Sequence, residues 1–226
     1  MASLRSQTTG NEAADASGVT LVAGDLIVVT LRERDGSTMA VSDSVNGAYT
    51  RALAAPITVG VAEIWYFRNS AGGTANFTVT GGSLRDYNVS VWIGMQTGAG
   101  TLDTTNSNTN SATTSHAHGS VTPSASALIV TALTCGTHGG FTPHSGFTAL
   151  TAGPSGSGVD RQHYAYKLAH TGAVNPTHTS GNSITSDACC AAFLESGGGG
   201  GGGGHLGGGM GFVGLRPNAF APGLAR

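Results

Sequence analysis

Charge is what this sequence has least of. Only 10% of its 226 residues are charged, with Lys+Arg 10 against Asp+Glu 12, and Lys167 is the only lysine. A surface that tracks phosphates needs a basic excess, so nucleic acid is not an expected partner. Aromatics make up 6% of the chain, and there are 3 cysteines with no CxxC pair among them, which argues against a structural zinc site. The longest apolar runs, such as Leu26 to Val29 and Ala188 to Leu194, stop far short of the roughly 20 residues a membrane helix requires, so no membrane insertion is expected. No basic-then-apolar segment with a cleavage site opens the chain, so no standard secretory signal is expected.

What is present is a succession of short apolar blocks set between Gly, Ser, Thr and Asn. The block from Val19 turns at Gly24-Asp25 and continues as Leu26, Val28 and Thr30 on one face with Ile27, Val29 and Leu31 on the other. A run apolar on both faces predicts a strand covered on both sides or at a sandwich centre. Further β-blocks are Thr38 to Ser42, Ala48 to Leu53, Val61 to Arg68, Ala75 to Thr80 and Tyr87 to Gln96. They resume with Ala127 to Thr134, Phe147 to Leu150, Arg161 to His170, Val174 to His178 and Asp187 to Glu195. Asp35-Gly36, Asn46-Gly47, Gly72-Gly73, Gly81-Gly82 and Ser180-Gly181-Asn182 supply the turns between them. No window carries a helical apolar stripe. The expected fold is all-β, a two-sheet β-sandwich.

Residues 1–18 read as an N-terminal arm with room for one edge strand, 19–196 as the sandwich, and 197–226 as a glycine-rich tail. Residues 101–120 are nearly bare of large apolar side chains, and read as a long crossover or a solvent-facing edge. The halves on either side share a strand layout, but no residue-level repeat marks a duplication. Cys189 and Cys190 are adjacent and so point to opposite faces of a strand. Buried reduced thiols are the expectation, with one bridge from Cys135 the alternative.

Each candidate for chemistry has a plainer explanation. His116 and His118 share a face of an extended segment and, with His138 or His144, would make a three-nitrogen metal site or a metal-dependent enzyme; solvated loop histidines are the expectation, with Asp103 the only nearby carboxylate. A Ser/His/Asp hydrolase lacks its GxSxG elbow, and THGGF at Thr137 to Phe141 reads as a turn. Glu63 lies in a β-block beside Ile64, Trp65 and Tyr66, where a polar-face residue is a better account than a glycosidase carboxylate. Trp65, Tyr66, Phe67, Tyr87, Trp92, Tyr164 and Tyr166 are expected in the core, with glycan stacking on an exposed member as the alternative. The run of eight glycines at 197–204 leads into no helix and no Lys, so it is not a phosphate loop. An extended tail with spaced apolar side chains can instead dock in a groove or add to a neighbour's sheet. Its anchors would be Leu206, Met210, Phe212, Val213, Leu215, Phe220 and Leu224.

VAGDLIVVTLRERDG followed by VSDSVNGAYTRA resembles the opening of jelly-roll modules in bacteriophage and prophage structural proteins. VAEIWYFRNSAGGTANFTVT resembles their next unit, and TPSASALIVTAL with AYKLAHTGAVNPTHTSGNSITSDACCAAFLE resembles the second half. The likeness spans about residues 18–196 and rests on structural motifs. It implies a sandwich of jelly-roll type and a non-enzymatic virion component, such as a head-decoration protein, head fibre or tail-fibre part, made in the host cytoplasm. Expected partners are the chain itself, as a homo-oligomer such as a trimer, and other virion structural proteins. A carbohydrate-binding module or adhesin taking a host surface glycan is the alternative. No cofactor, metal or catalytic residue is expected.

Overall fold

The computed structural model describes residues 1–11, 14–34, 36–37, 39–82, 85–136, 140–152 and 162–197. The seven tail anchors from Leu206 to Leu224 lie outside the described residues, as does His138. Every regular element among the described residues is a strand, so the fold is all-β as expected. The first half contains β1 (Ser3–Asn11), β2 (Val19–Leu21), β3 (Leu26–Glu33), β4 (Ala40–Asp43), β5 (Gly47–Ala48), β6 (Thr50–Ala54), β7 (Val61–Phe67), β8 (Gly73–Ala75), β9 (Phe77–Thr80) and β10 (Asp86–Ile93). The second contains β11 (Leu102–Ala117), β12 (Ala127–Cys135), β13 (Phe141–Pro143), β14 (Thr148–Leu150), β15 (Gln162–His170) and β16 (Thr177–Leu194).

Two large antiparallel sheets carry the fold. One has the order β1-β10-β3-β7-β6, the other β11-β16-β12-β15-β14 with β13 added alongside β16. They pack face to face, with β12 and β16 lying over β7 and β11 over β6. Because strand side chains alternate, Leu26 and Val28 of β3 point into this interface with Ile64, Tyr66 and Trp92, meeting Leu128, Val130, Cys189, Ala191 and Phe193. Ile27, Val29 and Leu31 point the other way, into a second core closed by Val41, Phe77 and Val79 of a small β5-β4-β9 sheet. That is why β3 is apolar on both faces, and all eight of its residues are buried. The sheets of the sandwich therefore do not end in solvent on their outer sides.

Polar contacts fasten the interface between halves. Asp187 Oδ2 accepts the backbone N–H groups of Thr58 and Val59, each at 2.8 Å, and its Oδ1 accepts the Thr109 hydroxyl at 2.8 Å. Arg32 donates to Thr134 Oγ1 at 3.2 Å and lies 3.5 Å from Asp86, whose carbonyl accepts the Tyr164 hydroxyl at 3.0 Å. Turn chemistry is equally local. At Asn46-Gly47 the Asp43 carboxylate accepts the N–H groups of Val45 and Asn46, and Gly47 takes a φ of 80° that a side chain would resist.

Two segments gain definition over the sequence reading. Within the N-terminal arm, residues 3–11 form a full edge strand on β10. Residues 102–117 are the edge strand β11 rather than a crossover loop, held by pairing with β16.

The two halves also repeat one topology, which no residue-level similarity had revealed. The sheet orders β1-β10-β3-β7-β6 and β11-β16-β12-β15-β14 correspond strand for strand. The β2–β8 pair, Val19 opposite Ala75, has its counterpart in the bridge from Val121 to Val174. The β4–β9 pair, Val41 opposite Val79, corresponds to Pro143 opposite His178. Matching the β-bulges that face Trp92 and Phe193, Val29 between Val89 and Trp65 corresponds to Thr131 between Cys190 and Ala165.

Phe193 is fully buried at the shared interface, 5.4 Å from the Tyr66 ring centroid. Truncating it removes contacts from both halves at once, so Phe193→Ala is expected to cost about 3–5 kcal/mol. Equilibrium urea unfolding followed by Trp fluorescence measures this, and one cooperative transition is expected for both chains.

Candidate histidine-lined core of the second half

Repetition of the frame makes its differences informative. In the first half the outer core is apolar, and includes Ala16, Met39, Trp65, Val79 and Tyr87. Counting from the matched pairs, the corresponding positions of the second half are His118, Phe141, Ala165, His178 and Ala188. His118 and His178, joined by His116 and His163, thus gather where one sandwich layer meets the next.

Local chain geometry brings them there. Beyond Asn110 the edge strand β11 bends back over its own start. Ala112 adopts a φ of 41° at the bend, and Asn110 then exchanges side-chain hydrogen bonds with the backbone N–H and carbonyl of Ala117, each at 3.0 Å. The start of β16 follows the same path, because His116 pairs with His178 and β13 pairs on its other side. Residues 115–121, 177–180 and β13 form a lid of strands over the six-stranded sheet. His116 and His118 are each 0% exposed and His178 is 2% exposed. The expectation of solvated loop histidines is therefore overturned; an edge strand that doubles back turns an exposed-looking polar segment into an inner wall.

The hydrogen bonds fix the protonation pattern. A backbone carbonyl only accepts, so His118 donates Nδ1–H to the Cys189 oxygen at 3.0 Å, and its Nε2 then accepts Nδ1–H from His178 at 2.7 Å. Ser180 gives its proton to the Asn182 carbonyl at 2.7 Å, so His116 donates Nε2–H to Ser180 Oγ at 2.9 Å. Its Nδ1 accepts the Ser186 hydroxyl at 2.8 Å, while Asn110 Nδ2 donates to Ser186 from 3.3 Å. Alanine at 188 is part of the exchange: the first half has Tyr87 there, donating its hydroxyl to Asp15 at 3.1 Å and accepting the Ala16 N–H at 2.9 Å. Phe141 closes the group, 5.1 Å from His116 and 4.4 Å from His163 between ring centroids.

Burial holds the group neutral. Desolvation lowers the His118 pKa to about 4 and takes His178 well below the usual value, with the neighbouring His118, His163, His116 and His144 adding repulsion. Burial also lowers His116. Both nitrogens of His116 and of His118 are engaged in this network, so their lone pairs do not converge on a point. Among the described residues no group of three or more His, Cys, Asp or Glu is placed to hold a metal ion. His144 instead meets Thr177 Oγ1 at 2.8 Å, and Asp103 binds the N–H and hydroxyl of Ser124.

The other candidates resolve into structure. Glu63 is 2% exposed rather than on a half-buried polar face, and takes hydrogen bonds from Trp65 Nε1 at 2.6 Å and Arg51 at 3.0 Å. Burial raises its pKa, against the pull of Trp65 and Arg51. Trp65, Tyr66, Tyr87, Trp92 and Tyr164 are buried, and Phe67 and Tyr166 half-buried against the cores, which leaves these seven without an exposed stacking platform. Three surface grooves, of about 290, 200 and 120 Å³, lie at or below the roughly 300–1,000 Å³ usual for small-molecule sites. No helix of the described residues is long and apolar enough to cross a membrane. Compared with known proteins, the chain matches no family model, no curated protein and no solved structure.

The cysteines are free, all three 0% exposed, with Cys189 in the central interface and Cys190 on the opposite face. Burial raises both thiols, Cys190 to about 12. Thiol titration is therefore expected to find none reactive in the folded chain at pH 8 and all 3 after denaturation without reductant.

Proposed function

We propose that the chain is a non-enzymatic structural protein of a phage-type virion, a capsid-decoration, head-fibre or tail-fibre component that assembles with itself and with neighbouring virion proteins. The observation that carries the assembly reading is the pair of long, unguarded edge strands. Sheet edges in proteins that stay apart are normally blunted by lysine, proline or covering loops. β1 and residues 102–110 contain no lysine or proline and one charged residue each, Arg5 and Asp103. Neither charge guards its edge: Arg5 is paired with Asp25 at 2.9 Å, and Asp103 with Ser124. Both strands are rich in Ser, Thr and Asn, which suits backbone pairing with another strand.

These edges occupy matched positions in the two halves, and each chain thus offers two similar surfaces to other copies. The tail adds a second means of attachment through Leu206, Met210, Phe212, Val213, Leu215, Phe220 and Leu224. Burial and backbone hydrogen bonding across subunits, with no turnover, would be the whole of its chemistry. The phage-type setting is drawn from the sequence resemblance.

Molar mass by light scattering after gel filtration tests this for the full chain, a chain ending at Ser196, and Thr8→Lys/Thr105→Lys. A multiple of the chain mass is expected for the first, falling towards monomer in one or both of the others. A full chain that is monomeric at all concentrations and binds a glycan array overturns the assembly reading in favour of an adhesin.

A further inference from the structure

We propose that the histidine-filled core of the second half is an acid-operated latch: it holds residues 115–121, 177–180 and β13 over the six-stranded sheet while its imidazoles are neutral, and releases them when protons enter. This does not depend on the virion reading. It rests on the hydrogen-bond polarity of the cluster and on its contrast with the first half.

At His118 and His116 the closed arrangement accepts no further proton without breaking a contact. A proton on His118 Nε2 would face the Nδ1–H of His178 across 2.7 Å, so His178 must reverse its tautomer or move. A proton on His116 Nδ1 would face the hydroxyl proton of Ser186 across 2.8 Å, displacing the bond that Ser186 makes. Whichever site is charged, the charge lies at full burial. The titratable groups around His178 are His118 and His116 from the β11 end, His163 from β15 and His144 from the turn after β13, and none is a carboxylate. Cys190 directs its thiol at the Gly119 and His118 carbonyls, 3.4 and 3.6 Å away. Asp187, on the same strand, points through the sheet to Thr58 and Val59. No described neighbour of the cluster therefore offers the counter-charge that a buried imidazolium needs.

Opening relieves this by letting water solvate the charge. Histidines that are neutral when closed and ordinary when open bind more protons in the open state, so closure weakens as pH falls below 6.5 and stops weakening once the closed state protonates too. Within that window the opening equilibrium rises by roughly tenfold per pH unit for each histidine involved. The lid has limited backing to resist: Ile184, Phe141 and Ala188 with Leu133 and Cys135 form only a small satellite core. The first half has the same layer with Ala16 and Val79 in place of His118 and His178, and nothing there to titrate between pH 4 and 7 except its carboxylates.

Hydrogen–deuterium exchange on the full chain from pH 7.5 to 4, expressed as protection factors, tests the latch. Peptides covering 113–121, 141–150 and 177–183 are expected to lose protection at least tenfold between pH 6.5 and 5, while 14–21, 40–43 and 77–80 keep theirs. His118→Ala/His178→Val places the first half's residues in the second and is expected to flatten the profile. Equal loss in both halves, or an unchanged profile in the variant, overturns the proposal. Should the variant not fold, ¹⁵N-histidine spectra of the unaltered chain decide: charging of His118 and His178 in step with lost protection supports the latch, and charging without it overturns it. Zinc that binds the cluster at pH 7 and protects the same peptides would also overturn it, by making the site a metal site.

Discussion

The structure depends on the need of one strand, β3, to be covered on both faces. Leu26–Glu33 has no solvent side, so its sheet has to find a partner above and below. The second half supplies one cover through Leu128, Val130 and Phe193, and the small β5-β4-β9 sheet supplies the other through Val41 and Val79. A stack of strand layers follows from that requirement. The polar side chains that cross the interface are those with fixed partners, such as Asp187 capping the Thr58 and Val59 N–H groups, since an unpaired polar atom there would cost more than it returned.

Repeating the frame allows the second half to depart from the first without losing its fold. Strand pairing is set by backbone hydrogen bonds and by the face shared with the other half, and both are kept. What changes is the filling of the outer layer. Tyr87 and Ala16 give way to Ala188 and His118, a large side chain exchanged for a small one on one wall and the reverse on the other. Volume is conserved in kind while polarity is not. Core positions that break the local rule in favour of ionisable groups are where function or strain is to be looked for.

Fold class was legible because strand alternation and turn residues are local signals. The two-faced run at Leu26 to Val29 and the turns at Asn46-Gly47 and Gly72-Gly73 lie where they were read. Opposite placement of Cys189 and Cys190 followed from period alone. The histidine core was not legible. His116 and His118 sit in a Ser/Thr/Asn stretch that looks solvated, and only the reversal of β11 at Ala112 carries them inside. A signal was present in the spacing: His118 precedes Val121 as Ala16 precedes Val19, and GTANFTVTGG at 73–82 matches GAVNPTHTSG at 172–181 in its outer glycines, its Asn and two Thr. Aligning those two segments places Val79 against His178. The duplication is faint in the sequence because the second half replaced outer-core residues, such as Ala16 and Val79, that would have advertised it.

The order in which each half must be closed follows from its edge strands. Ser3 lies opposite Ile93, and Leu102 opposite Phe193. In both halves the first strand made is paired with the last, so a nascent chain carries a completed edge strand with no partner until nearly a hundred residues later, a separation that slows folding by the entropy of closing so long a loop. Until then its unguarded backbone is open to a strand from any neighbour. β11 waits in this way just after the first sheet has been finished, on a ribosome whose neighbours are making the same chain. The polar, uncharged composition that suits these edges to assembly thus also sets the interval in which the wrong copy can be joined.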